Sequence, residues 1–105
     1  MGASKTDQYS QNQLDSARIG KAIAAPARVA ILQHIHKHTA ATNKDLCSIL
    51  LLSEATVHQH LQVLVRTGFL EGNFFGDTHA YFFKSEAKSD LDKIDWLLPI
   101  KKGYS

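Results

Sequence analysis

Residues 53–68 read Ser53-Glu54-Ala55-Thr56-Val57-His58-Gln59-His60-Leu61-Gln62-Val63-Leu64-Val65-Arg66-Thr67-Gly68, and the pattern of this segment sets the architecture expected of the chain. At helical period Val57, Leu61 and Leu64 fall at i, i+4 and i+7 and make one apolar stripe. Ser53 suits the N-cap, where its hydroxyl takes up an orphan amide of the first turn. Gly68 suits the position just past the C-cap, with Phe69 able to fold back onto Leu64. The opposite face carries Glu54, His58, Gln59, Gln62 and Arg66. It holds several side chains that both donate and accept hydrogen bonds, and few Lys–Glu pairs. On an isolated helix such a face is more often ordinary solvated surface. Its neighbours in the chain change that reading.

Upstream, Thr42 to Leu50 reads as a second short helix. Thr42 caps it, Asp45 three residues on completes a shortened capping box, and Leu46, Ile49 and Leu50 form its apolar face. Only Leu51 and Leu52 separate it from Ser53, so two helices meet through a tight turn. That is a helix-turn-helix, whose second helix enters a major groove. Downstream, Phe69 to Phe83 reads as two strands around Gly76-Asp77, a hairpin signal. Helix, tight turn, helix and hairpin is the order of a winged helix. The fold class expected is mainly α with a small β-hairpin, dimerising through its terminal helices.

The motifs also carry a family resemblance. Ile23-Ala24-Ala25-Pro26-Ala27-Arg28-Val29-Ala30-Ile31-Leu32 resembles the L-x-x-P-x-R-x-x-I-L signature of the arsenic-repressor (ArsR) family. Leu52 to Leu64 resembles that family's L-S-x-x-T-V-S-x-H-L-x-x-L. Thr67-Gly68-Phe69-Leu70 is similar to its A-G-L-V, and Gly76 with Tyr81-Phe82 to its wing. The resemblance covers roughly Ile19 to Lys84. It implies a homodimeric DNA-binding regulator, expected to be a repressor, on a pseudo-palindromic operator.

Composition sets the outer bounds. The chain has 105 residues, 44% of them hydrophobic, which fits one small globular domain. A formal charge of +2 permits nucleic-acid binding without demanding it. A single cysteine excludes an internal disulfide and a cysteine-rich zinc site. No apolar run approaches a membrane span and the N-terminus lacks a signal peptide's apolar core, so a cytoplasmic location is expected. No nucleophile–base pair, phosphate loop or metal set is legible, so no enzyme and no cofactor are expected.

Residues 1–11 read as a flexible polar arm, 12–98 as the domain and 99–105 as a tail. Leu14, Ala17, Ile19 and Ala22 suggest a first helix over Asn12–Ala24. Pro26 opens a second helix running to about His38, with Ile31, Leu32 and Ile35 as its core face. The residue before this proline is Ala25, where the family usually has a capping residue. Arg28 either approaches a phosphate, anchors helix packing, or pairs on the surface with an acid of the first helix; the last is the expectation. His34 and His38 are i, i+4 neighbours, but no third ligand accompanies them. Solvated histidines at a frayed helix end are expected.

The family's thiolate sensors carry Cys-x-Cys ahead of the helix-turn-helix, and the resemblance places Thr42 and Lys44 there. Its other metal site needs histidines on the last helix, and Ser85 to Leu98 contains none. Neither site is expected. Cys47 is expected to be a buried structural thiol. Leu51 occupies a turn position where the family often has Gly or a polar residue; ordinary backbone angles and an exposed side chain are expected.

The family wing usually carries Arg or Lys near its tip, and this one carries Asn73-Phe74-Phe75-Gly76-Asp77-Thr78-His79. Phe75 is either an interaction surface or packing under the hairpin. Leu91, Ile94, Leu97 and Leu98, ended by Pro99, make an apolar last helix whose natural use is pairing with a second copy. The dimer interface expected is Leu14, Leu91, Ile94 and Leu98. The DNA-contact set is Ser53, Glu54, Thr56, His58, Gln59, Gln62 and Arg66. Among these His58, Gln59 and Gln62 would read bases, Ser53 and Thr56 would hold phosphates, and Glu54 would either accept from cytosine or repel the backbone. The rival reading is a winged domain used for protein–protein contact, with weak or no DNA binding.

Overall fold

Three of the four longer helices start on a capping side chain and the fourth on a proline. In the computed structural model, which describes residues 8–99, helix α1 spans Gln11–Ala22, α2 Pro26–His38, α3 Asn43–Leu50 and α4 Glu54–Arg66. Ser10 caps α1 in a reciprocal box with Gln13, so Ser10 and Gln11 belong to the helix rather than to an arm. Residues 1–7 of that arm and 100–105 of the tail lie outside the described residues. Thr42 and Asp45 form the same reciprocal box at α3. Helix α2 has no side-chain cap at Ala25 and starts on Pro26, whose missing amide is one of the orphans in any case.

Helix α4 closes as its sequence implies. Gly68 takes φ +90, its amide reaches Val65 O at 3.1 Å, and the Phe69 amide reaches Leu64 O at 3.0 Å. This pair of bonds satisfies two terminal carbonyls and turns the fully buried Phe69 back onto the core.

Strands β2 (Leu70–Phe75) and β3 (Thr78–Phe83) pair antiparallel across Gly76-Asp77. A third strand, β1 (Ala40–Thr42), pairs antiparallel with β3, giving the order β1-β3-β2. It has no periodicity of its own to announce it. Ile31, Leu32 and Ile35 of α2, Leu46 of α3 and Val57, Leu61 and Leu64 of α4 meet Phe69, Leu70 and Tyr81 in one core.

The C-terminal segment departs from the expected helix. It is a 3₁₀ turn at Ser85–Ala87, a six-residue α5 at Lys88–Lys93, and a second 3₁₀ turn at Asp95–Leu97. Ile94 sits between the last two, is 2% exposed and belongs to the protomer's own core, so it is not spare interface surface. Leu91, Leu97 and Leu98 are half-buried against the same core, and Leu14 is half-buried on α1. Trp96 faces outward.

Arg18 stitches the two ends of the chain to the end of α4. Its guanidinium donates to both Asp90 oxygens, at 2.7 and 3.1 Å, to Asp15 at 3.3 Å and to Thr67 O at 2.9 Å. The bond to Asp90 above all holds the arginine's pKa above its ordinary value. Gln33 and His36 hold the C-terminal turn onto α2, through Leu97 O at 2.7 Å and Pro99 O at 3.0 Å. Among the described residues no helix is long and apolar enough to cross a membrane.

Candidate nucleic-acid interface

Helix α4 is anchored on one face and open on the other. Val57, Leu61 and Leu64 are fully buried, while Ser53, Glu54, His58, Gln59 and Arg66 are exposed and Thr56 and Gln62 half-buried. At 1.5 Å per residue the exposed side chains from Glu54 to Arg66 span roughly 18 Å, enough to lie along a major groove. Asn43 at the start of α3 donates to Glu54 O at 3.3 Å, which ties the beginnings of the two helices together.

The hydroxyls at the helix start are partly spent. Ser53 Oγ accepts from the Thr56 amide at 3.2 Å and donates to Thr56 Oγ1 at 3.0 Å. A hydroxyl has a single proton. Ser53 therefore serves as cap, and the Thr56 proton is the one left to donate to a phosphate.

The tight turn is made by a strained residue. Leu51 adopts φ 57, ψ 44 in the left-handed region, contrary to the ordinary angles expected, because two helices separated by three residues need that reversal. Its side chain is 87% exposed, so nothing in the core compensates the strain. Cys47 is half-buried rather than fully so, its thiol directed to Asn43 Oδ1 at 3.1 Å.

The wing turns on Gly76, which alone of the two turn residues has positive φ, at +65. Gly72 is required by packing: a Cβ there would lie 2.7 Å from His79 Nε2 and 3.0 Å from the Tyr81 ring. From Leu70 to Phe83 the charged residues are Glu71 and Asp77, so the hairpin carries no fixed positive charge. Phe74 stacks on His79 with centroids 4.5 Å apart and stays 65% exposed. Phe75 is also exposed, on the opposite face near Phe82, so it does not pack beneath the hairpin.

Arg28 does not pair with an acid. Its Nε donates to Ala22 O at 3.0 Å, one terminal nitrogen to Lys21 O at 2.8 Å, and the other meets His60 Nδ1 on α4 at 3.1 Å. It anchors helix packing, one of the two alternatives to that surface pair. Of the α2 histidines His38 is exposed in the last turn, as expected, but the other two are held. His34 is half-buried with its ring 4.4 Å from that of His38, burial holding its pKa below the ordinary value, and His36 is bound to Pro99. Among the described residues no group of three or more His, Cys, Asp or Glu is placed to hold a metal ion.

Sequence reasoning missed Asn43, Arg18 and the Arg28–His60 contact. Only the last had a signal, since both residues sit in the quoted motifs.

A family of helix-turn-helix domains matches residues 23–73, from just before α2 into β2. No curated protein matches the chain by sequence. HlyU from Vibrio cholerae is 26% identical, the match covering 85% of this chain and 97% of HlyU with a TM-score of 0.69. The transcriptional repressor PagR of Bacillus anthracis is 29% identical over 79% of this chain and 94% of its own, with a TM-score of 0.64. An ArsR family transcriptional regulator, 19% identical over 85% of this chain and 95% of its own, shares the fold with a TM-score of 0.63. The chain thus carries a helix-turn-helix domain and has the winged fold of these transcription regulators, which supports a DNA-binding regulator.

Proposed function

We propose that this regulator is a repressor that binds a pseudo-palindromic operator as a homodimer in the cytoplasm, with α4 of each protomer in a major groove. The observation that carries this reading is the polar face of α4, which offers Glu54, His58, Gln59 and Arg66 to solvent on a fully anchored helix. The repressor assignment follows PagR, which is called a transcriptional repressor. Gln59 reads a base, and its amide suits adenine. His58 and Gln62 flank it, Thr56 and the adjoining amides meet phosphate, and Arg66 in the last turn steadies the backbone. No cofactor or metal takes part.

The test is a binding isotherm on matched and scrambled operators across a salt series, the operator being selected from a random pool. Gln59→Ala costs about 1–3 kcal/mol on the best site and relaxes preference at one base pair per half-site. Arg66→Ala weakens all sequences alike and lowers the salt slope by up to about one. Equal loss on both DNAs for Gln59→Ala would show that the helix docks differently.

Leu14, Leu91 and Leu98 form the dimer contact, with exposed Trp96 beside them in sequence. Leu14→Glu gives monomers in sedimentation and loses operator binding. A wild-type chain that stays monomeric at about micromolar concentration contradicts the dimer. The exposed Phe74 and Phe75 on a wing without cations favour a second reading, a surface for protein contact. Failure of the wild-type chain to retain any fragment from a genomic pool would select it.

A further inference from the structure

Arg28 joins three helices through one side chain. Lys21 O and Ala22 O, which accept from it, belong to the last turn of α1, where carbonyls lack intrahelical partners. The remaining terminal nitrogen faces His60 Nδ1 at 3.1 Å on the recognition helix. A guanidinium has five donors, no acceptor, and does not give up its proton. Nδ1 must therefore be the accepting nitrogen, which puts the neutral ring's proton on Nε2. An imidazolium carries N–H on both nitrogens and cannot accept. Protonating His60 would replace this hydrogen bond with two facing cations.

The surroundings offer the imidazolium little relief. Arg28 of α2 is the charged group that acts on the ring, and α1 contributes Lys21 through its carbonyl with the side chain exposed. On α4 itself the positions three and four residues away are Thr56, Val57, Val63 and Leu64, none of them acidic. Burial first, and the Arg28 charge second, hold His60 below the ordinary histidine value of 6.5.

We propose that Arg28 is a positioning residue for DNA recognition, holding α4 through a neutral, Nε2-protonated His60, and that proton uptake at His60 releases the helix and lowers affinity for DNA. The DNA part rests on the operator-binding reading above. Gln59 precedes His60 in the chain, so a small rotation of α4 about its axis moves the base-reading amide directly.

Two measurements on the full chain test this. In the free protein, imidazole nitrogen spectra over a pH titration give the tautomer and midpoint of His60. The expected result is Nε2–H with a midpoint below 6.5, moving up toward 6.5 in Arg28→Met. If Arg28→Met fails to fold, the wild-type tautomer and midpoint still test the hydrogen bond, and His60→Asn, whose Oδ1 stands where Nδ1 stood and does not titrate, tests its effect on DNA. Affinity for one selected duplex is then compared at fixed salt near pH 7.5 and near pH 5.5. Wild type loses up to about fivefold relative to His60→Asn over that interval, the most that a midpoint below 6.5 and a further one-unit drop on DNA binding allow at pH 5.5. Exposed His58 is common to both proteins and cancels in the ratio. An Nδ1–H tautomer, an unshifted midpoint, or parallel losses with DNA bound overturn the proposal. A chain that retains no DNA at either pH, with the spectrum as expected, overturns the operator reading and the effect on DNA, but not the hydrogen bond.

Discussion

Helix α4 buries Val57, Leu61 and Leu64 completely and turns Glu54, His58, Gln59 and Arg66 to solvent, whereas the wing tip leaves both Phe74 and Phe75 largely exposed. The helix is held at its start by Asn43, in its middle by Arg28 through His60, and at its end by Arg18 on Thr67 O. The wing beyond Gly72 is held by strand pairing and ring stacking. Directional side chains can discriminate bases only if their backbone cannot shift, so readout belongs on the anchored element. A wing without cations displaces no counterions from the phosphates and adds little to the electrostatic part of binding. The two regions thus divide unequally: on the proposed function the anchored helix would carry sequence information, and the wing only surface.

Stability should show that inequality most strongly. Leu61→Ala removes a fully buried side chain of α4 and should cost about 2–5 kcal/mol in urea unfolding. Phe74→Ala, on the exposed wing, should cost under about 1 kcal/mol in the same experiment. Comparable losses would mean that the wing is part of the core and would erase the distinction.

Charge is the next lever. Asn73→Lys restores a cation near the wing tip and should steepen the dependence of log affinity on log salt by about one unit if the wing reaches the DNA backbone. An unchanged slope would place the wing away from DNA altogether and strengthen its reading as a protein-contact surface.

The smallest effect concerns the turn that sets the angle between α3 and α4. Leu51→Gly should raise stability by about 0.5–1 kcal/mol, because glycine adopts φ 57 without a Cβ penalty and the lost side chain is 87% exposed. A loss instead would show that Leu51 contributes a contact beyond the single protomer.

Features that depend on residues within one turn of each other could be read from the order of residues. Helices α2, α3 and α4, the caps at Thr42 and Ser53, the reversal at Gly68 and the hairpin at Gly76-Asp77 were legible, because spacing and capping chemistry are local. The exposed face of α4 followed from the same periodicity. The remaining features come from contacts between distant parts of the chain. Three residues of β1 become a strand only because β3 offers its edge. Ile94 is core because α5 ends after six residues and folds it inward, which no helical pattern announces. Leu51 is left-handed because the packing of α3 on α4 demands the turn against the residue's own preference. Arg18 and Arg28 found partners 72 and 32 positions away, and a donor's partner at such separation is set by where the chain returns, not by its neighbours in sequence.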